Sequence, residues 1–150
     1  MKIVSLSEEK KIEKRISITP DISSKYISIG FEVFLPKNYG DHLGFSDEDY
    51  KSQGAKIIEN EIDLIQTADI FVQLGLPSDD KLLNFRENQN LIGVLNPFLN
   101  KQKIDNLTKK KINNFSLELL PRITRAQSMD ILSSQANLAG YKAVIESFAK

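Results

Sequence analysis

Residues 121–144, PRITRAQSMDILSSQANLAGYKAV, carry the side chains of this sequence that are best suited to chemistry. On a helix that starts near Gln127, at about 100° per residue, an amide, a carboxylate and a hydroxyl fall on one face: Gln127, Asp130 and Ser133. Arg122 and Arg125 precede them. A solvated helix face usually mixes lysine with glutamate, whereas these groups can bind a polar ligand. The alternative is that they only cap and anchor the helix.

A second face of the same predicted helix is small and apolar. Its residues are spaced 3, 4, 3, 4 along the chain: Met129, Leu132, Ala136, Ala139 and Ala143. Because such a face is nearly smooth, the helix can lie close against a neighbour. We therefore expect one unbroken helix that starts near Gln127 and projects from the body of the domain, with Met129 in the core.

Upstream of that helix, strand and helix signals alternate, which is typical of βαβ units around a largely parallel sheet. Strands are predicted at 2–6, 31–35, 55–58, 70–74, 91–95 and 114–119. Residues 15–18 are expected to extend into a first helix, which Thr19 caps and which ends before Gly30. Further helices are predicted at 47–53 behind the cap Ser46, at 62–67 and at 99–110. The pattern indicates one doubly wound domain.

The run P-R-I-T-R-A-Q-S-M-D-x-L-S-S-Q-x-N-x-A-G-Y at 121–141 closely resembles the signature of the alpha subunit of proton-translocating NAD(P) transhydrogenase. The segments E-K-R-I-S-I-T-P at 13–20 and I-G-F-E-V at 29–33 resemble the opening shared by transhydrogenases and alanine dehydrogenases. The resemblance implies an α/β, Rossmann-like (flavodoxin-like), doubly wound and mainly parallel lobe at 1–125. Residues 126–150 would begin a long inter-lobe helix. The second NAD-binding lobe of the family is absent, so the chain looks truncated.

The resemblance also implies an activity, which is hydride transfer between NAD(H) and NADP(H) coupled to proton translocation across a membrane. This chain would supply the nicotinamide-end half of the NAD(H) site and be inactive alone. The implied catalytic residues are Arg122, Gln127 and Asp130. The implied cofactor-binding residues are these together with Ile123, Thr124, Arg125 and Ser133. In this scheme Asp130 pairs with Arg122, while Gln127 and Ser133 meet the nicotinamide end of the cofactor.

The implied partners are a beta subunit that binds NADP(H), a membrane component and a second copy of the NAD(H)-binding component in a homodimer. Such a protein is cytoplasmic and peripheral to the cytoplasmic face of the bacterial inner membrane. No nucleic-acid binding and no membrane insertion are expected, because 20 basic residues balance 20 acidic ones and the apolar runs are short. No metal is expected, because the chain has no cysteine and its one histidine, His42, is predicted in an exposed loop.

Alternative functions remain open at this stage. Alanine dehydrogenases carry a lysine on the strand matching 70–76 and a histidine near the strand matching 91–97, and both serve keto-acid chemistry. This chain reads IFVQLGLP and LIGVLNPF there, so it lacks a positioned acid or base for imine chemistry. An arginine matching Arg15 holds the substrate carboxylate in that branch, so Arg15 is either such a ligand or a structural ion-pair or surface arginine. The other alternative is a non-catalytic dimerisation or remnant module.

We predict that this chain alone binds NADH weakly or not at all. A dinucleotide-binding domain of the usual kind needs a glycine-rich turn after its first strand, because only glycine lets the backbone approach the pyrophosphate. The 7 glycines of this chain are scattered singly, without a G-x-G-x-x-G. A titration that follows NADH fluorescence should show little change at submillimolar ligand. Tight binding would mean that the nucleotide site has been misplaced.

Overall fold

The strands of the sheet are short and lie in an order that reverses once. The computed structural model describes residues 1–121 and 123–149. Within them the strands are Lys2–Val4 (β1), Glu32–Pro36 (β2), Lys56–Ile58 (β3), Ile70–Val72 (β4), Asn90–Gly93 (β5) and Asn113–Ser116 (β6). Their order is β3-β2-β1-β4-β5-β6, and each neighbouring pair is parallel. This is the Rossmann order rather than the five-strand flavodoxin order, and the winding reverses between β1 and β4.

Helices cover both faces of this sheet, which confirms the expected doubly wound α/β fold. In the described residues the α-helices are Pro20–Ser28 (α1), Asp47–Ser52 (α2), Glu61–Thr67 (α3), Asp79–Leu83 (α4), Lys101–Lys109 (α5) and Ile131–Phe148 (α6). Short 3₁₀ helices lie at Asp41–Leu43, Leu117–Leu119 and Thr124–Met129.

The core has two parts because successive strand residues point to opposite faces. Ile3 and Val33 belong to a cluster with Tyr50 of α2. Val4, the next residue of β1, belongs to a second cluster with residues of α3 and α5, among them Leu64 and Leu107. The sheet is therefore the middle layer of three.

The cap signals in the sequence are confirmed. The Thr19 hydroxyl accepts a hydrogen bond from the Ile22 N–H at 3.4 Å, and Pro20 begins α1. Gly30 follows the end of α1 with φ +95°, a left-handed conformation that glycine adopts without steric cost. Ser46 and Asp49 form a capping box that starts α2.

Other expectations about local structure are wrong. Residues 15–18 are irregular rather than helical, although α1 does start at Pro20, directly after the Thr19 cap. The short helix α4 is absent from the sequence-based prediction, and the last strand ends at Ser116, where a 3₁₀ helix takes over. These differences all lie outside the paired strands, in segments that sheet pairing does not constrain.

The long C-terminal helix exists but begins later than predicted. The Asp130 side chain caps it by accepting hydrogen bonds from the N–H groups of Leu132 and Ser133, so α6 starts at Ile131, and residues 124–129 form a 3₁₀ helix. From there α6 runs unbroken to Phe148. The expectation that Met129 lies in the core is wrong, because its side chain is 53% exposed. The division of the chain at residue 125 stays a prediction.

Two buried tyrosines hold the segment that precedes α1. The Tyr39 hydroxyl accepts hydrogen bonds from the N–H groups of Ser17 at 3.1 Å and Ile18 at 3.3 Å. The Tyr50 hydroxyl donates to the Ile18 carbonyl at 3.0 Å. These side chains therefore supply hydrogen-bond partners for both N–H groups and for the Ile18 carbonyl, in a segment that has no helix or strand pairing.

We predict that Tyr39→Phe destabilises the fold more than Tyr50→Phe does. The first substitution leaves two backbone donors without this acceptor, the buried N–H of Ile18 and the part-buried N–H of Ser17. An unsatisfied buried group costs about 1–3 kcal/mol. The second removes a bond to one carbonyl, and its aromatic ring stays in place. Urea unfolding followed by circular dichroism measures both losses. Equal losses would show that the Tyr39 hydroxyl does not carry the segment.

Candidate functional site

A large cleft opens at the carboxyl ends of the central strands. Its volume is about 1230 Å³, and it lies where the winding of the sheet reverses between β1 and β4. In open α/β sheets, ligands bind in the crevice at this position. The cleft is lined by residues that follow β1, β4 and β5 and by the first turns of α6: Ser7, Glu8, Gln73, Leu74, Gly75, Val94, Asn96, Ile131, Leu132, Ser134 and Gln135.

Gln73 joins the ends of β1 and β4 at the back of this cleft. Its side chain is 4% exposed. The Gln73 Oε1 atom accepts hydrogen bonds from the Leu6 N–H at 2.6 Å and from the Ser5 hydroxyl at 3.1 Å, and its Nε2 donates to the Leu6 carbonyl at 3.4 Å. The amide therefore pairs with both backbone groups of Leu6, as a neighbouring strand would.

Glu8 makes the reciprocal connection. From the loop after β1, its Oε1 atom accepts a hydrogen bond from the Leu74 N–H at 2.7 Å and a longer one from Gly75 at 3.4 Å. Burial raises the pKa of the Glu8 carboxyl above its usual value, although the two N–H groups act to lower it. The side chains of Gln73 and Glu8 thus each bind the backbone of the other strand's loop, and this fixes the floor of the cleft.

The basic side chains at the cleft are paired with carboxylates. The pairs are Arg15 with Glu13 at 2.6 Å, Lys81 with Glu61 at 2.7 Å and Lys103 with Asp79 at 2.8 Å. The Lys81 ammonium group also donates to the Ser7 carbonyl at 3.1 Å. These described residues therefore present a charge-balanced wall and not a concentrated positive patch for a pyrophosphate.

Two side-chain amides, Gln73 and Asn96, follow β4 and β5 at the cleft. Gln73 follows β4, and its amide is hydrogen-bonded to the N–H and carbonyl of Leu6. Asn96 follows β5 and lines the cleft, and its backbone N–H donates to the Glu118 carboxylate. A side-chain amide does not titrate in the range where an acid or base must work, so neither residue can transfer a proton.

The predicted polar face is only partly assembled as expected. Asp130 Oδ1 accepts the N–H groups of Leu132 at 3.0 Å and Ser133 at 3.1 Å, and the Ser133 hydroxyl donates to Asp130 Oδ2 at 2.6 Å. Asp130 and Ser133 therefore form the N-terminal cap of α6, and their role in binding a cofactor stays a prediction. Gln127 lies in the preceding 3₁₀ helix and is exposed, so the three do not share one α-helical face.

The remaining predicted cofactor-binding residues precede this cap. Ile123, Thr124 and Arg125 are exposed, while Ala126, 6% exposed, anchors the turn that carries them. Arg122 lies outside the described residues. None of the described members of the predicted set lines the cleft, although their neighbours Ile131 and Leu132 do.

Sequence reasoning missed Glu8 as a residue of the cleft. The signal was present, because Glu8 follows β1 closely and the carboxyl ends of strands at a reversal of winding are where ligands bind. Gln73 stands out in the sequence only as a departure from a family pattern. The contact between these loops, across more than 60 positions of the chain, is visible only in the fold.

Two other side chains singled out by the sequence have nearby partners. Arg15 forms an ion pair with Glu13, and its interpretation as a carboxylate ligand stays a prediction. His42 is exposed, and its Nε2 atom lies 2.8 Å from the Lys14 carbonyl oxygen. In the described residues no cluster of three or more possible ligands could hold a metal ion. No helix in the portion of the chain that the structure describes is long and apolar enough to cross a membrane.

Comparison with known proteins gives consistent matches. A family model described as alanine dehydrogenase/PNT, N-terminal domain, matches residues 5–139. An NAD(P) transhydrogenase subunit alpha protein of Rickettsia prowazekii is 43% identical over 97% of this chain and 39% of that protein. The crystal structure of transhydrogenase from Sinorhizobium meliloti aligns with a TM-score of 0.86 at 34% identity, over 95% of this chain and 43% of that chain.

A more distant relative represents the second branch. Alanine dehydrogenase 1 of Staphylococcus aureus (strain Mu50) is 26% identical over 97% of this chain and 38% of that protein. The chain thus spans less than half the length of each of these relatives. Similarity is higher to the transhydrogenases than to the alanine dehydrogenase.

We predict that Glu8→Gln stabilises the fold in a pH-dependent way. Because burial raises the folded-state pKa above the ordinary value, the folded chain retains a proton that the unfolded chain has released. The stability that Glu8 contributes is therefore lost as pH rises through that window. Glutamine keeps an oxygen acceptor for the Leu74 N–H and carries no charge. The melting temperature of the variant should match wild type below pH 4.5, the ordinary value, and exceed it at neutral pH.

The matched control is Glu32→Gln. Lys56 lowers the pKa of the Glu32 carboxyl through a hydrogen bond, so this substitution should act in the opposite direction and remove stability that is present at neutral pH. Thermal unfolding of both variants and wild type from acid to neutral pH makes the comparison. A difference between Glu8→Gln and wild type that does not change with pH would contradict the account.

Proposed function

The chain belongs to the alanine dehydrogenase/PNT N-terminal domain family, and on that premise we propose that it supplies the nicotinamide-end half of the NAD(H) site of an NAD(P) transhydrogenase. When bound, NAD(H) supplies the hydride that is exchanged with NADP(H). Because the chain spans 39% of a transhydrogenase subunit that it resembles, the complete activity depends on segments beyond it.

The proposal includes those further components. NADP(H) is bound by a beta subunit, and a membrane component couples hydride transfer to proton translocation. The NAD(H)-binding component works as a homodimer at the cytoplasmic face of the bacterial inner membrane. The relatives from Rickettsia prowazekii and Rhodospirillum rubrum are named as portions of an alpha subunit, and this supports an assembly of several chains.

The observation that carries the proposal is the chemistry of the cleft floor. Amino-acid dehydrogenation needs a group that moves a proton as the imine forms or hydrolyses. Gln73 and Asn96 follow β4 and β5, and the segments around them contain neither the lysine nor the histidine that the resemblance to alanine dehydrogenases would imply there. Hydride transfer between two nicotinamides requires no protein acid or base. Direct transfer is therefore the chemistry that these side chains allow.

The start of α6 fits the polar end of a nicotinamide nucleoside. Ser133 uses its one proton on Asp130, so its lone pairs are left to accept a hydrogen bond from a carboxamide NH₂. The exposed amide of Gln127 offers both donors and an acceptor. Asp130 holds Ser133 and the first backbone N–H groups, so its role here is to orient its neighbours.

The residues just before Gln127 complete the proposed site. Ile123, Thr124 and Arg125 are exposed, so a ligand can reach them. The role of Arg122 rests on the resemblance alone: its guanidinium group contacts the nicotinamide carboxamide, and Asp130 directs it. This chain has no glycine-rich turn for the pyrophosphate, so the rest of the cofactor is held by a second lobe.

We predict that Arg122→Ala damages hydride transfer more than Asp130→Asn does. Losing one charge-assisted hydrogen bond costs about 1.5–3 kcal/mol, which is roughly ten- to a hundred-fold in rate if it is felt mainly in the transition state. Asparagine caps helices as well as aspartate does, so Asp130→Asn removes the charge and keeps α6. The measurement is single-turnover transfer from NADH to an NADP⁺ analogue, with the chain reconstituted with the second NAD-binding lobe and the NADP(H)-binding component.

Two further variants sharpen this experiment. Gln127→Asn should also slow transfer, because a shorter side chain misplaces the group that it holds. Ser128→Ala is the matched control, since Ser128 is exposed in the same 3₁₀ helix and is not in the proposed set. Wild-type rates for the Arg122, Gln127 and Asp130 variants, with normal folding, would show that these residues only anchor the helix. A non-catalytic module would then be the better interpretation.

A further inference from the structure

Helix α6 buries few of its side chains against the rest of the domain. None of its residues from 131 to 148 is buried, although Ile131 is half-buried. Large apolar side chains are exposed along its length, among them Leu138, Tyr141 and Phe148. Its first two turns border the mouth of the cleft. A helix with so little burial has little packing that could set its angle to the sheet.

One hydrogen bond ties α6 to the opposite side of the cleft. Arg15 Nη1 donates to Gln135 Oε1 at 2.7 Å, a contact between residues 120 positions apart. Among the described residues it is the one hydrogen bond between 131–148 and the sheet-bearing portion of the chain. The other hydrogen bonds of α6 side chains in these residues stay within the helix or go to its cap.

Arg15 is oriented for this contact by Glu13. Glu13 accepts from Arg15 Nε at 2.9 Å and from Nη2 at 2.6 Å, so the carboxylate grips one edge of the guanidinium group. It also accepts the Arg15 backbone N–H at 2.9 Å. Because that edge is occupied, Nη1 is the atom left to reach Gln135. Residues 17 and 18, a short way along the chain, are fixed by the two buried tyrosines.

We propose that Glu13, Arg15 and Gln135 form a polar clip that sets the angle of α6 across the cleft mouth. Arg15 is thereby a positioning residue. By fixing the angle of α6, it sets the position of the cap formed by Asp130 and Ser133, about one helical turn before Gln135. The effect of the clip on cofactor binding rests on the proposed function, because the cap is part of the proposed nicotinamide site. The hydrogen bonds of the clip itself need no ligand.

The test measures the angle of α6 without nucleotide. The chain has no cysteine, so two can be introduced without a background. Lys25→Cys on α1 and Ala143→Cys on α6 are both exposed positions for spin labels. Double electron–electron resonance then reports the distribution of distances between the helices. With the clip intact we expect one narrow peak.

Variants of Gln135 separate the clip from general destabilisation. Gln135→Leu should lose the narrow peak, as should Arg15→Ala, and the two together should be no broader than either alone because they share one bond. Gln135→Glu should restore the narrow peak, since a carboxylate accepts a stronger, charge-assisted bond from Nη1. Lys142→Ala, on the same helix and paired only with Glu146 in the described residues, is the matched control and should leave the peak unchanged.

The melting temperature of each variant is measured alongside. A narrow peak in Gln135→Leu, or a broad one in Gln135→Glu with an intact fold, would overturn the proposal. So would a Lys142→Ala variant as broad as Gln135→Leu. Because no cofactor takes part, failure here leaves the proposed function standing, and failure of hydride transfer leaves the clip standing.

Discussion

A network of buried hydrogen bonds connects the ends of β1 and β4, where the winding of the sheet reverses. The parallel pairing of β1 with β4 covers only Ile3 and Val4, so the backbone of Leu6 has no strand beside it. Gln73 takes that place with its amide, Ser5 donates to the same oxygen, and the Ser5 and Tyr39 hydroxyls lie 2.7 Å apart. A buried polar group left without a partner is costly, so the loss of one side chain from this network would leave the groups that it binds unsatisfied.

This hydrogen-bond network contacts both sides of the cleft. The Tyr39 hydroxyl also binds the backbone of residues 17 and 18, which lie just after Arg15. The Gln73 side chain also donates to the Glu8 carboxylate, and Glu8 in turn binds the N–H of Leu74 in the turn after β4. The floor of the cleft is therefore built from groups that already have hydrogen-bond partners. The opposite side is α6, which is exposed along its length and carries the proposed nicotinamide-binding cap.

The features that could be predicted from the sequence are those decided by neighbours in the chain. Thr19, Ser46 and Gly30 lie where caps and left-handed turns require their residue types, and the structure confirms all three. The predicted start of α6 is too early because apolar periodicity continues through Met129, whereas the carboxylate of Asp130 is what ends the 3₁₀ helix and begins the α-helix. Helix α4 escapes prediction because five residues give no periodicity. The bonds of Gln73 and Arg15 to distant partners follow from the fold, and no local pattern predicts them.

The central claim is that the cap at the start of α6 meets the nicotinamide end of the cofactor. Nuclear magnetic resonance of the ¹⁵N-labelled chain, titrated with nicotinamide mononucleotide at millimolar concentration, tests it most directly, because weak binding is enough to shift amide signals. Adenosine monophosphate is the control, since it shares the ribose and phosphate and lacks the carboxamide. The account predicts shifts at Gln127, Asp130 and Ser133 that adenosine monophosphate does not produce. Shifts confined to other regions of the chain, or identical shifts with both nucleotides, would contradict it.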